Sequence, residues 1–254
     1  MPGDPPDREP PTEQFSVVTV PPGAADQVGG REALVRLEGV SRSFPGPPEV
    51  LALRDVDLTI FEGDYVSIMG PSGSGKSTML NVLGLLDRPT VGRYLLGGRD
   101  TAPLKDRDRT RLRGRTLGFV FQAFHLLSRR TVLENVTLSM TYSGVPRAER
   151  RDRAWRALEQ VSLTHRASFY PTTLSGGERQ RAAVARAVAA QPRLLLADEP
   201  TGNLDSATSG EVLEMLEGLN ASGLAVAVVT HDPEVSAAAR RRFVMQDGRL
   251  EEAP

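Results

Sequence analysis

The sequence contains no cysteine, which excludes disulfides and thiolate-bound zinc. Lysine occurs only at Lys76 and Lys105, while arginine is abundant. No apolar run approaches the roughly 18 residues of a membrane-spanning helix, and the N-terminus lacks the basic patch and apolar core of a secretory signal. Any work at a membrane is therefore expected to go through a partner that holds the chain there. Charge bias is absent too: 31 Lys and Arg stand against 32 Asp and Glu, for a net charge of -1. Nothing in that balance steers the molecule towards nucleic acid or an anionic surface, and no nucleic-acid partner is expected. No internal repeat and no long heptad insertion is visible, which excludes a coiled-coil arm. What is present is 254 residues, 39% of them hydrophobic, enough for one sizeable domain with a packed core.

Residues 1–32 read as a disordered arm. Pro2, Pro5, Pro6, Pro10, Pro11, Pro21 and Pro22 break any helix there, and Gly23, Gly29 and Gly30 loosen the chain. A solvated tail and a docking arm both fit that composition. The ordered domain is expected over 33–252. Val35, Leu37 and Val40 suggest a strand, residues 44–48 a turn, and residues 50–60 a second strand. Residues 65–69 form a short apolar strand that enters a Gly-rich loop. Met79, Leu80, Leu83 and Leu86 then recur at helical spacing over 78–86. Residues 117–121 form another strand. From about 123 to 190 the signals turn helical, with segments at 132–140, 147–161 and 178–190. Strands return at 194–197 and 224–229, with a helix between them marked by Val212, Leu213, Leu216 and Leu219. Asp247-Gly248 reads as a hairpin turn. Strand–loop–helix units on both sides of a helical block predict an α/β core with an inserted helical subdomain at about 123–190.

Gly70-Pro71-Ser72-Gly73-Ser74-Gly75-Lys76-Ser77-Thr78 matches the G-x-x-x-x-G-K-[ST] pattern between a strand and a helix. Glycines let successive N–H groups curl around an anion, and the helix N-terminus adds unpaired donors and partial positive charge. Lys76 can reach the β- and γ-phosphates, and the Ser77 hydroxyl can bind Mg²⁺. By itself the motif predicts a bound nucleoside triphosphate and nothing narrower.

Residues 194–197 are an apolar run ending in Asp198 and Glu199. A buried strand with its tip beside the phosphate loop would bring Asp198 to the metal. Mg²⁺ uses few carboxylates and keeps several waters. Glu199, one residue further on, would orient and polarise the attacking water. Ser175-Gly176-Gly177-Glu178 opens an Ala-rich helix and reads either as a simple cap or as a second anion-binding helix end. One domain has little use for two such ends on one nucleotide. Two copies packed head-to-tail have: the Ser175 end of each closes on the γ-phosphate held by Lys76 of the other.

With these motifs in order, the chain resembles an ABC-transporter nucleotide-binding subunit from about Leu34 to Leu250. Residues 70–78 are similar to Walker A, 174–180 to the LSGGQ-type signature with Glu178 at its Gln position, and 194–199 to Walker B. The resemblance implies a P-loop NTPase of ABC type, with a RecA-like α/β core, an N-terminal antiparallel β subdomain and an inserted helical subdomain. It implies ATP hydrolysis with Mg²⁺, with Glu199, His231, Lys76 and Gln122 in catalytic roles. Gln122 falls at the Q-loop glutamine, which touches Mg²⁺ or the water and relays to the membrane partner. Asn203-Leu204-Asp205 resembles the D-loop of the dimer seam, and His231 the switch histidine at the γ-phosphate. His125 and His165 have no such role. Phe44 falls where an aromatic stacks on adenine, and a buried core phenylalanine is the alternative.

Three stretches, residues 84–90, 133–136 and 196–206, resemble the macrolide-export and lipoprotein-release group. That implies a separate permease with few membrane helices, a homodimer of this chain beneath it, and a place on the cytoplasmic face of the membrane. Ser128 and Arg130 depart from the Pro and Leu common in that group, close to the expected permease contact. Two alternatives stand beside export: the ATPase of an importer, or a soluble ABC ATPase. The chain ends soon after the Asp247-Gly248 turn, which counts against importers with a C-terminal regulatory domain.

Overall fold

A computed structural model describes residues 27–28 and 30–253. Most of the arm expected over 1–32 lies outside the described residues. At its end the chain is ordered: β1 (Gln27–Val28) pairs antiparallel with the start of β2 (Arg31–Phe44), Gln27 opposite Glu32. Strand β2 thus begins a few residues before the apolar pattern that announces it.

The first sheet is antiparallel. It is built on β2, which pairs with β3 (Val50–Phe61) on one side and β5 (Val91–Leu96) on the other, and β5 pairs with β6 (Arg99–Asp100). The second sheet carries the site. It contains β4 (Tyr65–Met69), β7 (Leu117–Phe121), β8 (Leu194–Asp198), β9 (Ala225–Thr230), β10 (Arg241–Gln246) and β11 (Arg249–Glu252), in the order β11-β10-β4-β9-β8-β7. All pairings are parallel except the β10–β11 hairpin.

The central strands are buried on both faces, as a parallel sheet between two layers requires. Their side chains alternate with period two. Leu195, Ala197, Val226 and Val228 enter one apolar cluster, with the helices that follow β7. Leu194, Leu196, Ala225, Ala227 and Val229 enter the other, with β2, β3 and the helix after β4. That helix, α1 (Lys76–Leu83), buries Met79, Leu80, Val82 and Leu83. It stops three residues short of the expected Leu86, because Gly84 caps it and Leu85 turns to a φ of 54°.

Helix α2 (Asp106–Thr116) has no counterpart in the sequence reading. Its eleven residues carry five arginines and one leucine, so no apolar stripe marks it. Its inner side is polar instead. Arg109 is buried and donates to the carbonyls of Leu85, at 3.2 Å, and Asp87, at 2.7 Å, and Arg113 donates to Leu85 at 3.2 Å.

The helical block holds α3 (Val132–Ser139), α4 (Arg147–Gln160), two short 3₁₀ turns (Thr164–Arg166 and Pro171–Thr173) and α5 (Gly176–Val188). These helices share one apolar cluster with a face of the second sheet. The contact is close: a Cβ on Gly118 of β7 would come 2.7 Å from the Ala187 carbonyl of α5. Helices α6 (Ser206–Ala221) and α7 (Pro233–Ala237) flank β9. The short α7 is fixed to β4 by a buried hydroxyl pair, Ser67 Oγ to Ser236 Oγ at 2.8 Å.

Candidate functional site

The C-terminal ends of β4, β7, β8 and β9 lie side by side because the strands are parallel and in register, with Met69 opposite Thr230, and Asp198 opposite both Val229 and Phe121. Ligands in such sheets bind at the carboxyl ends of the strands. A cleft of about 1030 Å³ opens there. Residues 71–73 and 75–78 of the phosphate loop line it, together with Gln122, Asp198, Glu199 and His231. Gly70 and Ser74 lie beneath that lining.

The loop is shaped for an anion. Gly75 caps α1 with a φ of 109°, and a Cβ there would come 2.5 Å from the Ala52 carbonyl, so only glycine fits. Helix α1 has no side-chain cap, which leaves its first N–H groups as donors facing the cleft. The Lys76 ammonium folds back over the loop and donates to the carbonyls of Gly70, at 2.7 Å, and Pro71, at 2.9 Å. The Ser74 hydroxyl is buried with no partner. Uncapped helix donors, an ammonium and a glycine backbone fit a polyphosphate.

Opposite the loop, β8 delivers two adjacent carboxyls. Burial pushes the Asp198 carboxyl above the usual range, the Glu199 charge adds to that, and Lys76 opposes it. Asp198, the Ser77 hydroxyl and the Gln122 amide all line the cleft and each can offer an oxygen ligand. Such a set suits Mg²⁺, which takes one or two carboxylates beside phosphate and water. Among the described residues no group of three or more His, Cys, Asp or Glu converges on a point.

Glu199 adopts a φ of 45°, a costly backbone for a non-glycine residue. Its N–H donates to the Val229 carbonyl at 2.8 Å, which ties the turn to β9. Its carboxylate is held by β9 as well: Thr230 Oγ1 donates to Oε2 at 3.0 Å, and His231 Nδ1 lies 2.7 Å from Oε1. An ionised carboxylate only accepts, so Nδ1 carries the proton and Nε2 is left to the cleft. Thr230 is fully buried, and its oxygen also accepts the Asp232 N–H at 3.0 Å. Sequence reasoning passed over Thr230, because a threonine ending a strand has no distinguishing local signal.

Gln122 packs on the turn after Glu199. Its side chain lies where a Cβ on Gly202 would stand, 2.7 Å from Nε2. Its carbonyl accepts from Asn203 Nδ2 at 2.8 Å. Asp205 caps α6, accepting from the Thr208 N–H at 3.0 Å and the Thr208 hydroxyl at 2.7 Å.

Ser175, Gly176, Gly177 and Glu178 do not line the cleft. They form a capping box at the start of α5: Ser175 Oγ accepts the Glu178 N–H, and Glu178 Oε2 accepts the Ser175 N–H at 2.8 Å. Gly176 and Gly177 face Leu204 and Thr208. The Ser175 oxygen is used as an acceptor, so its proton remains available to a ligand. Glu178 carries a charge where the resemblance has a neutral Gln, and Arg166 donates to it at 2.7 Å.

Phe44 is also outside the cleft lining, although its strand neighbour Val50 is part of it. Phe44 is half-exposed rather than a core residue, with the Arg42 guanidinium 4.3 Å from its ring centroid. Part of the cleft was missed in the sequence. Arg54, Asp247 and Gly248 line it, because the β10–β11 turn clasps the phosphate loop: the Gly248 N–H donates to the Ser74 carbonyl at 2.9 Å, and the Arg54 N–H to the Gly248 carbonyl at 2.8 Å.

Known proteins resemble this chain over most of its length. The ABC transporter family profile matches residues 53–202. An uncharacterized ABC transporter ATP-binding protein, YknY of Bacillus subtilis, is 47% identical over 218 residues, covering 85% of this chain and 95% of that protein. The macrolide export ATP-binding/permease protein MacB 1/2 of Paracoccus denitrificans is 49% identical over 218 residues, 85% of this chain but only 33% of that longer protein. Among solved structures, the ATP-binding cassette MJ0796, a dimer in a post-hydrolysis state bound to ADP and Pi, superposes with a TM-score of 0.78 at 42% identity. That match covers 86% of this chain and 97% of the other.

Proposed function

The chain belongs to the ABC transporter family, as an ATP-binding subunit that hydrolyses ATP, and on that premise we propose that two copies close head-to-tail over two ATP molecules and drive a separate membrane permease. The observation that carries the head-to-tail reading is the position of Ser175. Its hydroxyl proton and helix N-terminus suit a phosphate, yet they lie outside the cleft that holds Lys76 and Glu199. A second copy supplies what one cleft lacks, and ATP then binds the closed pair in preference to the open subunits.

Within each composite site the residues divide the work. The loop from Gly70 to Thr78 and the Lys76 ammonium hold the phosphates. Glu199, fixed by Thr230 and His231, orients the attacking water. His231 Nε2 faces the γ-phosphate, and Ser175 of the partner subunit donates to it from the far side. Ser77, Asp198 and Gln122 would hold Mg²⁺, which would supply charge neutralisation for the phosphates. Most of the rate comes from positioning and from charge stabilisation of the transition state. Hydrolysis removes the γ-phosphate that both subunits grip, and the pair opens.

No helix among the described residues is long and apolar enough to cross a membrane. In this reading the membrane component is a partner, and this chain sits against its cytoplasmic side. Residues 84–90, 133–136 and 196–206, with the 49% identity to a macrolide-export protein, support export or mechanotransmission over import. The test is to purify the Glu199→Gln chain with ATP and Mg²⁺ from gently solubilised native membranes. A co-purifying permease with few membrane helices and a large outer domain is expected. A many-span importer permease, or no membrane partner, would overturn the export reading.

A further inference from the structure

Phe124 and His125, just past Gln122, both hold a positive φ, 59° and 49°. Adjacent non-glycine residues in the left-handed region are uncommon and persist only where the surroundings enforce them. Here one side chain does so. Arg186, near the end of α5, donates through Nη2 to the Phe124 carbonyl at 2.7 Å and through Nη1 to the His125 carbonyl. No carboxylate of the described residues pairs with Arg186, and burial lowers its pKa. A guanidinium is thus partly withdrawn from water to serve two main-chain carbonyls. About two turns earlier on the same helix, the Arg179 guanidinium lies 5.3 Å from the Phe124 ring centroid. The next part of the loop is held separately: Asn135 of α3 accepts the Leu127 N–H and donates to the carbonyls of Leu127, Arg130 and Thr131.

We propose that Arg186 is a positioning residue for hydrolysis, holding the turn after Gln122 in its left-handed form so that α5 links the Ser175 end to the Gln122 side chain. The proposal rests on the roles given above to Gln122 and Ser175. Helix α5 begins at the Ser175 cap and ends at the Gln122 loop. A shift of the Ser175 end on closure therefore reaches Gln122 through one rigid element, without passing through the sheet.

The test is steady-state ATP hydrolysis by the full chain, with melting temperatures, for Arg186→Ala, Arg186→Lys, and Arg186→Ala combined with Phe124→Gly and His125→Gly. Gln122→Ala is the reference. Arg186→Ala is expected to lower kcat on the order of tenfold to a hundredfold, the scale of a small misplacement. KM for ATP should stay within about twofold, since the phosphate loop is untouched. Lysine lacks the guanidinium fork and should restore little. The glycine pair accepts positive φ unaided and should recover most of kcat with no charge returned. Wild-type kcat in Arg186→Ala overturns the proposal, as does a loss that the glycines fail to restore. A Gln122→Ala chain as fast as wild type defeats the site reading and the proposal together. A slow Gln122→Ala beside an unrescued Arg186→Ala defeats the proposal alone.

Discussion

His231 Nδ1 stands 2.7 Å from Oε1 of Glu199, so the last residue of the acidic pair and the residue after β9 act as one unit. A water oriented by Glu199 is expected to need both. Glu199→Gln should lower kcat by about 10²–10⁴ and trap an ATP-bound dimer that elutes at twice the monomer mass. His231→Ala should lower kcat as well, since Glu199 then loses one of its two side-chain partners. Equal turnover in wild type and Glu199→Gln would remove the catalytic assignment.

Thr230 holds the other carboxylate oxygen. A hydrogen bond to a charged group contributes about 1.5–3 kcal/mol, so Thr230→Val should slow kcat by on the order of ten- to a hundredfold. Thr230→Ser keeps the hydroxyl and should stay close to wild type. The pair separates orientation of Glu199 from simple filling of the β9 tip, and single-turnover hydrolysis is the measurement.

Lys76 carries the only ammonium among the described residues that line the cleft. Lys76→Ala removes a charge-assisted contact to the phosphates of about 1.5–3 kcal/mol and should abolish tight nucleotide binding. Lys76→Arg should not rescue it, because the guanidinium is too large to fold back onto the Gly70 and Pro71 carbonyls. Equilibrium binding of a fluorescent ATP analogue reads both.

Glu178 lies below the usual carboxylate range, chiefly because the Ser175 N–H donates to it, with Arg166 adding to the effect and slight burial opposing it. A depressed folded pKa contributes stability that is present above the unfolded value of about 4.3 and lost as pH falls through the folded value. Wild type should therefore lose stability relative to Glu178→Gln as pH drops below about 4.3. Urea unfolding across that range measures the difference. Arg166→Ala leaves the Glu178 charge uncompensated beside the incoming phosphate and should weaken the ATP-dependent dimer by roughly fivefold, the upper scale of an exposed pair.

The features legible in the sequence were those encoded locally. The phosphate loop, the apolar run into Asp198-Glu199 and the Ser175 capping box each sit within a few residues, with the strand or helix that presents them. Helix α2 was illegible because its buried side is Arg109 and Arg113 bonded to carbonyls, which carries no hydrophobic period. Strand β5 was illegible because three of its six residues are exposed, while Tyr94 is fixed by donating to the Leu83 carbonyl at 2.7 Å. The Arg54–Gly248 wall depends on β10 lying beside β4, a pairing across most of the chain. Thr230 and Arg186 matter through partners that only the tertiary fold supplies.

The clasp between Gly248 and Ser74 also sets an order of events on the ribosome. Translation is vectorial and proceeds at about 5–20 residues per second, so the phosphate loop emerges early. Its strand β4 lies between β9 and β10, which emerge last among the parallel strands. A nascent chain therefore displays the motif before it has either neighbouring strand or the turn that closes the loop. The Gly248–Ser74 bond that closes the loop therefore forms only after β9 and β10 have both emerged.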